Sequence, residues 1–151
     1  MTLVELAITV LLMSVLSGVM VFVFITLTGQ WSSGEKRASV DIGMDRGMEE
    51  MVRDLREANQ ALSSNDEMRY TRDGSNYSIY YFYNNQVRKA VLTGGLSGTY
   101  TNSTGRIVIR NVVMPAVSNL SLSNNTINID ISISRGNETV RQYTAVRPRN
   151  L

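Results

Sequence analysis

From Leu6 to Thr28 the chain reads LAITVLLMSVLSGVMVFVFITLT, twenty-three positions without one charged side chain. A helix needs about 20 predominantly apolar residues to cross a bilayer, so this run is long enough to span one. Those residues cannot also serve as the core of a water-soluble domain. The remaining chain, out of 151 residues in all, has room for one modest domain. A cleavable secretory signal would open on a basic region and end on a small-residue cleavage site. Here Met1-Thr2-Leu3-Val4-Glu5 precedes the run, and the first cations are Lys36 and Arg37. The positive-inside rule would hold those two on the cytoplasmic side. A basic leader removed ahead of Met1 resolves that conflict, which makes Met1 the expected first residue of a processed chain.

Glu5 is the only charge in the first thirty-four residues. A carboxylate at depth in a helical span costs roughly 2.5–3.5 kcal/mol on insertion scales, so it should lie near the interface or find a cation. The nearest cation is the α-amino group of Met1. Its own helix presents that amine too close in sequence to pair cleanly, whereas a neighbouring copy presents it freely.

Thr2-Leu3-Val4-Glu5-Leu6 followed by the apolar run resembles the N-terminal signature of type IV pilins and type II secretion pseudopilins. The resemblance implies that a prepilin peptidase removes the leader, that Met1 is N-methylated, and that Glu5 guides assembly. It implies a bacterial inner-membrane subunit extracted into a surface fimbrium, a homo-oligomeric helical filament outside the cell or in the periplasm. Met1 stands where the family usually has Phe. The family's helix-breaking Pro is absent from Gly18-Val19-Met20-Val21-Phe22, leaving Gly18 as the expected point of helix flexibility. The Cys pair that closes many pilin heads is absent too. Met48–Ala58 and Arg147-Pro148-Arg149-Asn150 are similar to minor pilins and J-type pseudopilins, so a minor pseudopilin is the alternative within the family. A monomeric membrane-anchored binding protein is the alternative outside it.

Beyond the span, Trp31 suits a membrane boundary, and Gly29 and Gly34 around Ser32-Ser33 predict a looser joint. We divide the chain there, with residues 1–34 as the apolar helix and 35–151 as a head. Within the head, Val40, Met44, Met48, Met51, Val52, Leu55 and Leu62 recur at spacings of three and four, predicting an amphipathic helix over 35–62 that covers a sheet. Arg46–Glu50, Glu49–Arg53 and Arg53–Glu57 fall at i,i+4 and are expected to pair on the solvated face. The methionines, with Met68, are expected to fill core. Gly43 and Gly47 read as a site of close packing or bending rather than a dimer motif.

From Ser63 the period changes to two, predicting a β-rich region over 63–151 and an α+β fold of helix on antiparallel sheet. Expected strands are Met68–Arg72, Tyr77–Tyr83, Gln86–Leu92, Arg106–Val113, Val117–Leu122, Ile127–Ser134 and Glu138–Val146. Asp73-Gly74, Asn84-Asn85, Asn124-Asn125 and Arg135-Gly136-Asn137 are turn chemistry, because Gly and Asn accept positive φ. The tyrosines between Tyr77 and Tyr83 are expected to divide between core and surface. Residues 93–105 (TGGLSGTYTNSTG) form the longest polar loop, and Gly94, Gly95 and Tyr100 mark it as a candidate recognition surface.

The chain has no Cys and no His, which removes thiol chemistry, disulfides, Ser-His relays and the commonest zinc ligands. No catalytic, metal or cofactor site is indicated, and we expect a non-enzyme without a cofactor. Fifteen cations and thirteen anions are interspersed, giving a net charge of +2. That pattern predicts no general nucleic-acid surface, although Arg141, Arg147 and Arg149 are locally positive. The expected partners are further copies of the chain, the inner membrane and the pilus or secretion assembly machinery. Five Asn-x-Ser/Thr sequons, at Asn76, Asn102, Asn119, Asn124 and Asn137, add no partner by themselves.

Overall fold

The computed structural model describes residues 2–64, 66–113 and 118–149, excepting the side chains of residues 32, 33 and 36. Met1 and the start of the strand expected at Val117 lie outside the described residues. The fold is α+β: among the described residues one helix, α1 (Leu3–Arg56), precedes eight strands. The chain divides into two compact units, residues 1–38 and 39–151.

The first unit is helical from Leu3 onward. No break occurs at Gly29–Gly34, so the expected joint is corrected to continuous helical backbone. Isolated glycines each cost only about 1 kcal/mol in a helix, less than the long flanking helical runs supply. Gly18 is likewise helical, with nothing near its missing Cβ.

In the second unit α1 ends at Arg56 rather than Leu62, and Leu62 lies instead on a strand that the periodicity did not reveal, β1 (Gln60–Ser64). Leu62 matched the helical spacing by chance and is 43% exposed. β1 opens a five-stranded antiparallel meander with β2 (Glu67–Thr71), β3 (Tyr77–Phe82), β4 (Val87–Leu92) and β5 (Arg106–Ile109). A second, three-stranded meander contains β6 (Asn119–Ser123), β7 (Thr126–Arg135) and β8 (Glu138–Val146). Each expected strand has its counterpart within a few residues. The largest difference is the strand expected to run to Val113, which stops at Ile109; Asn111 adopts φ 58° just beyond it.

The turn chemistry acts as expected. Gly74, Asn84, Asn85, Asn124, Asn125 and Gly136 all have positive φ, the conformation that Gly and Asn tolerate and that matches strand twist in tight hairpins. Ile127, Ile129, Ile131 and Ile133 of β7 are fully buried. They join Met44, Met48, Met51, Leu55, Met68, Tyr80, Ile109 and Leu120 in one core between α1 and the two sheets. The methionines therefore pack as core, as expected of a side chain that commonly fills irregular cores.

Helix and sheet approach closely at Gly47. A Cβ there would lie 2.3 Å from Ile109 Cγ1 and 2.9 Å from the Val108 carbonyl oxygen, whereas one on Gly43 would touch nothing within 4 Å. Close packing at this glycine pair thus belongs to Gly47 alone.

Candidate assembly helix and ion row

Three regions of this structure bear on function, one in the first unit and two in the second. In the first, the 29 residues Leu3–Trp31 of α1 include an 18-residue stretch with a mean hydropathy of 2.7, none of it buried. Every large apolar side chain along it is at least 47% exposed, the least being Val23, and Trp31 is 80% exposed. At 1.5 Å per residue the segment is about 43 Å long, more than the roughly 30 Å of a hydrocarbon core. Its ends can therefore reach both interfaces, where an amphipathic ring such as Trp31 is favoured. Leaving a Leu, Ile or Phe in water forgoes about 1.5–3 kcal/mol per side chain, so the surface requires a cover of lipid or protein.

At the start of that helix, the Thr2 backbone N–H donates to Glu5 Oε2 at 2.8 Å, and the Glu5 N–H donates to Thr2 Oγ1 at 3.4 Å. This reciprocal pair is a capping box, Thr at the N-cap and Glu three residues on, and it satisfies two amide donors that a helix start leaves without partners. The spacing T-x-x-E was present in the sequence and marks the cap, a role distinct from pairing with an amine. Glu5 also sits where the helix dipole favours negative charge.

In the second unit, the residue that sequence reasoning missed is Asp54. It lies near the end of α1, 1% exposed, and its carboxylate is enclosed by donors. Oδ2 accepts from Tyr80 at 2.7 Å, Tyr70 at 2.9 Å and Lys89 Nζ at 2.5 Å, while Oδ1 accepts from Arg72. Asp54 belongs to an alternating row, Arg106–Glu50–Lys89–Asp54–Arg72–Glu57, in which helix carboxylates interleave with cations from the five-stranded sheet and its loops. The i,i+4 pairs expected along the helix are thereby corrected. Among the described residues none of the three forms, because Glu50 and Glu57 find guanidinium groups across the interface. The opposite flank of the helix is tied to the other sheet, with Arg135 donating to Asp41 at 2.8 Å and Gln142 to Asp45 at 3.2 Å.

Burial by itself raises the Asp54 carboxyl, but hydrogen bonds from Lys89, Tyr80 and Tyr70 together with the Lys89 charge outweigh it and hold the group below the usual carboxylate range. The same burial, reinforced by the Asp54 charge, pushes both tyrosine hydroxyls above their ordinary value. Asp54 therefore stays ionised with four donors on two oxygens, and its lone pairs are committed to the fold. Among the described residues no group of three His, Cys, Asp or Glu side chains is arranged to hold a metal.

The third candidate region, residues 93–105, folds back over the outer face of the five-stranded sheet. Gly94 and Gly95 have φ 92° and 90°. Arg69 donates to the carbonyls of Leu96 and Gly98, Arg88 to those of Ser103 and Gly105, and Tyr81 to that of Asn102. Tyr100 is half-buried, packs 4.6 Å centroid to centroid from Tyr81, and donates to Glu67. A small second core of Ile79, Tyr81 and Leu92 lies beneath it. This explains the tyrosine-rich β3: Tyr80 faces α1, Tyr81 faces the loop, and both faces are buried. The loop is pinned as a cover, and of the three residues marked there only Gly94 is exposed.

The three regions are separate: the capping box lies in the first unit, the ion row and the loop on opposite faces of one sheet in the second. Comparison with protein-family models, with curated proteins and with solved structures found no match to this chain.

Proposed function

We propose that the chain is a non-enzymatic structural subunit of a type IV pilus-like filament. It is stored in a membrane by its apolar helix and assembled by lateral packing of such helices. The observation that carries this reading is a fully exposed apolar helix whose sole charge, Glu5, sits in the first turn. In the assembled form, helix–helix burial replaces lipid. Glu5 of an incoming subunit then pairs with the Met1 amine of one already in place, giving register to contacts that are otherwise non-directional. The capping box fits this role: Glu5 Oε2 takes the Thr2 amide, and a carboxylate has acceptor capacity left for an amine. The resemblance of Thr2–Leu6 to pilins and pseudopilins supports the same reading and supplies processing by a prepilin peptidase and methylation of Met1.

The test separates the cap from the ion pair. Capping boxes accept Gln in place of Glu, so Glu5→Gln keeps the helix start and removes the charge. With Glu5→Gln and Glu5→Ala expressed in the native host, electron microscopy of surface filaments should find both variants stripped of fibres. Mass spectrometry should find a methylated Met1 in the wild-type chain. Filaments from Glu5→Gln at the wild-type level would reduce Glu5 to a cap, whereas absence of this chain from any filament of the wild-type host would favour a simple membrane tether.

A further inference from the structure

The strand order of the five-stranded sheet runs along residues 39–56 of α1. Gly47 faces Ile109 of β5, Glu50 faces Arg106 of β5 and Lys89 of β4, and Asp54 faces Tyr80 of β3 and Tyr70 of β2. Beyond Arg56 the chain enters β1. The two edges of the sheet, β5 and β1, therefore face opposite ways along the helix, about 19 Å apart at the usual strand spacing.

Each edge carries an apolar feature beside an uncompensated charge. On the β5 side a groove of about 290 Å³ lies between helix and strand, lined by Val40, Gly43, Ile107, Val108 and Arg110. Val40, Ile107 and Val108 are half-buried, and Arg110 is exposed without a carboxylate partner among the described residues. A Cβ on Gly43 would meet nothing within 4 Å. The glycine thus keeps open a space that alanine, the better helix former, would narrow.

On the β1 side Leu62 is 43% exposed. Asp66, in the turn after β1 at φ 61°, likewise has no partner among the described residues. Three other acids of this unit lack a cation, and each is placed differently. Asp73 accepts the Ser75 and Asn76 amides, Asp45 accepts from Gln142, and Glu49 lies on the exposed helix face one turn from Arg46 and Arg53. Of the four, Asp66 alone stands at a sheet edge beside an exposed apolar side chain.

We propose that the β5 groove receives Leu62 of a second copy, with Asp66 of that copy paired to Arg110. Apolar meets apolar and acid meets arginine, the two groups lying two to four residues apart on each side. Contact between opposite edges of one sheet is heterologous, so it leaves a free edge at each end and repeats as an open series. A polar filament needs that symmetry, and the inference rests on the filament reading above. Singly the contact is small. Helix packing holds the copies at high effective concentration, and the edge contact fixes their register.

The test uses filaments sheared from the native host. The chain has no Cys, so Leu62→Cys and Gly43→Cys report on this contact alone, and within one chain they are too far apart to bridge. Diamide oxidation of filaments carrying both substitutions should give a ladder beyond tetramer on a non-reducing gel, and each single variant should stay monomeric. Arg110→Asp, which sets like charges together, should lower fibre yield at least tenfold with unchanged melting. Adding Asp66→Asn should restore the yield to within threefold, and adding Glu49→Gln should not. The charge series gives the answer if the double-cysteine chain forms no fibres, and the ladder does if Arg110→Asp melts early. Fibres without a ladder, or wild-type yield from Arg110→Asp, overturn the inference and leave the filament reading standing. Dimers from Gly43→Cys alone, or failure of Asp66→Asn to restore the yield, also overturn it, assigning the groove to an isologous pair or to another acid. Absence of the wild-type chain from any fibre overturns both.

Discussion

The Tyr80 hydroxyl donates to Asp54 Oδ2 at 2.7 Å, beside the stacked ring of Tyr70, which donates to the same oxygen. One carboxylate on α1 thus ties strands β2, β3 and β4 to the helix, through Tyr70, Tyr80 and Lys89. Dispersion and hydrophobic burial hold the two layers together without specifying how far one slides along the other. A buried charge enclosed by donors from three strands does specify it, because any slip leaves ions or hydroxyls without partners.

Replacing Asp54 by Ala leaves two buried tyrosine hydroxyls without their acceptor and Lys89 without its nearest charge. Breaking a fully buried ion pair costs about 3–5 kcal/mol. Lys89 and Arg72 side chains are 25% and 42% exposed, so solvent screens part of that, and about 2–4 kcal/mol is expected. Thermal unfolding of the full chain in detergent, followed by near-UV circular dichroism, should show a Tm lower by roughly 10 °C. A shift under 2 °C would show that the row contributes no net stability.

The pH dependence of that contribution has a definite sign. Asp54 has a folded pKa below its unfolded value, so its stabilisation is fully present above the unfolded pKa, near 4. It is lost as pH falls through the folded pKa. Stability should therefore be flat between pH 5 and 7 on this account and fall below about pH 4, with a shallower fall in Asp54→Asn. Urea midpoints at a series of pH values measure it, and parallel curves for the two proteins would contradict the assignment.

Gly43 and Gly47 should respond to alanine with opposite signs. At Gly47 the added methyl meets Ile109 and the Val108 carbonyl, an overpacking cost of about 1–3 kcal/mol that exceeds the gain in helix propensity of about 1. At Gly43 the methyl meets nothing, so Gly43→Ala should stabilise by up to about 1 kcal/mol. Equal destabilisation at both positions would point instead to a helix–helix contact through the pair.

How legible these features were depended on their range. The hairpin turns were readable because Asn84-Asn85 and Asn124-Asn125 declare positive φ locally, and β7 was readable because Ile127 to Ile133 alternate strictly with polar residues. Two things were not. Leu62 fits both a helix and a strand at its spacing, and only pairing of β1 with β2 decides between them. Asp54 looks like any acidic helix residue, and its burial depends on Tyr70, Tyr80 and Lys89 arriving from sixteen to thirty-five positions away. Glu5 is an intermediate case: its T-x-x-E spacing encodes the cap, while an amine supplied by another copy has no local sign.

The cover over β3 and β4 gives a last expectation. Residues 93–105 carry four Gly and no strand, a composition of mobile surface loops, yet Arg69, Arg88, Tyr81 and Tyr100 all bond to it or from it. Arg69 reaches two of its carbonyls at 3.0 and 3.1 Å, and Tyr100 places its ring on Tyr81. Loop tips are ordinarily the first sites nicked by protease, and protection reflects how often the segment opens. The wild-type loop should therefore resist limited proteolysis, while Arg69→Ala and Tyr100→Ala should be cut within residues 93–105 at least tenfold faster. The Asp54-centred core on the other face should remain intact. Rapid cutting of the wild-type loop at the same sites would mean that these bonds do not hold it down, and would return residues 93–105 to the recognition role that their composition first suggested.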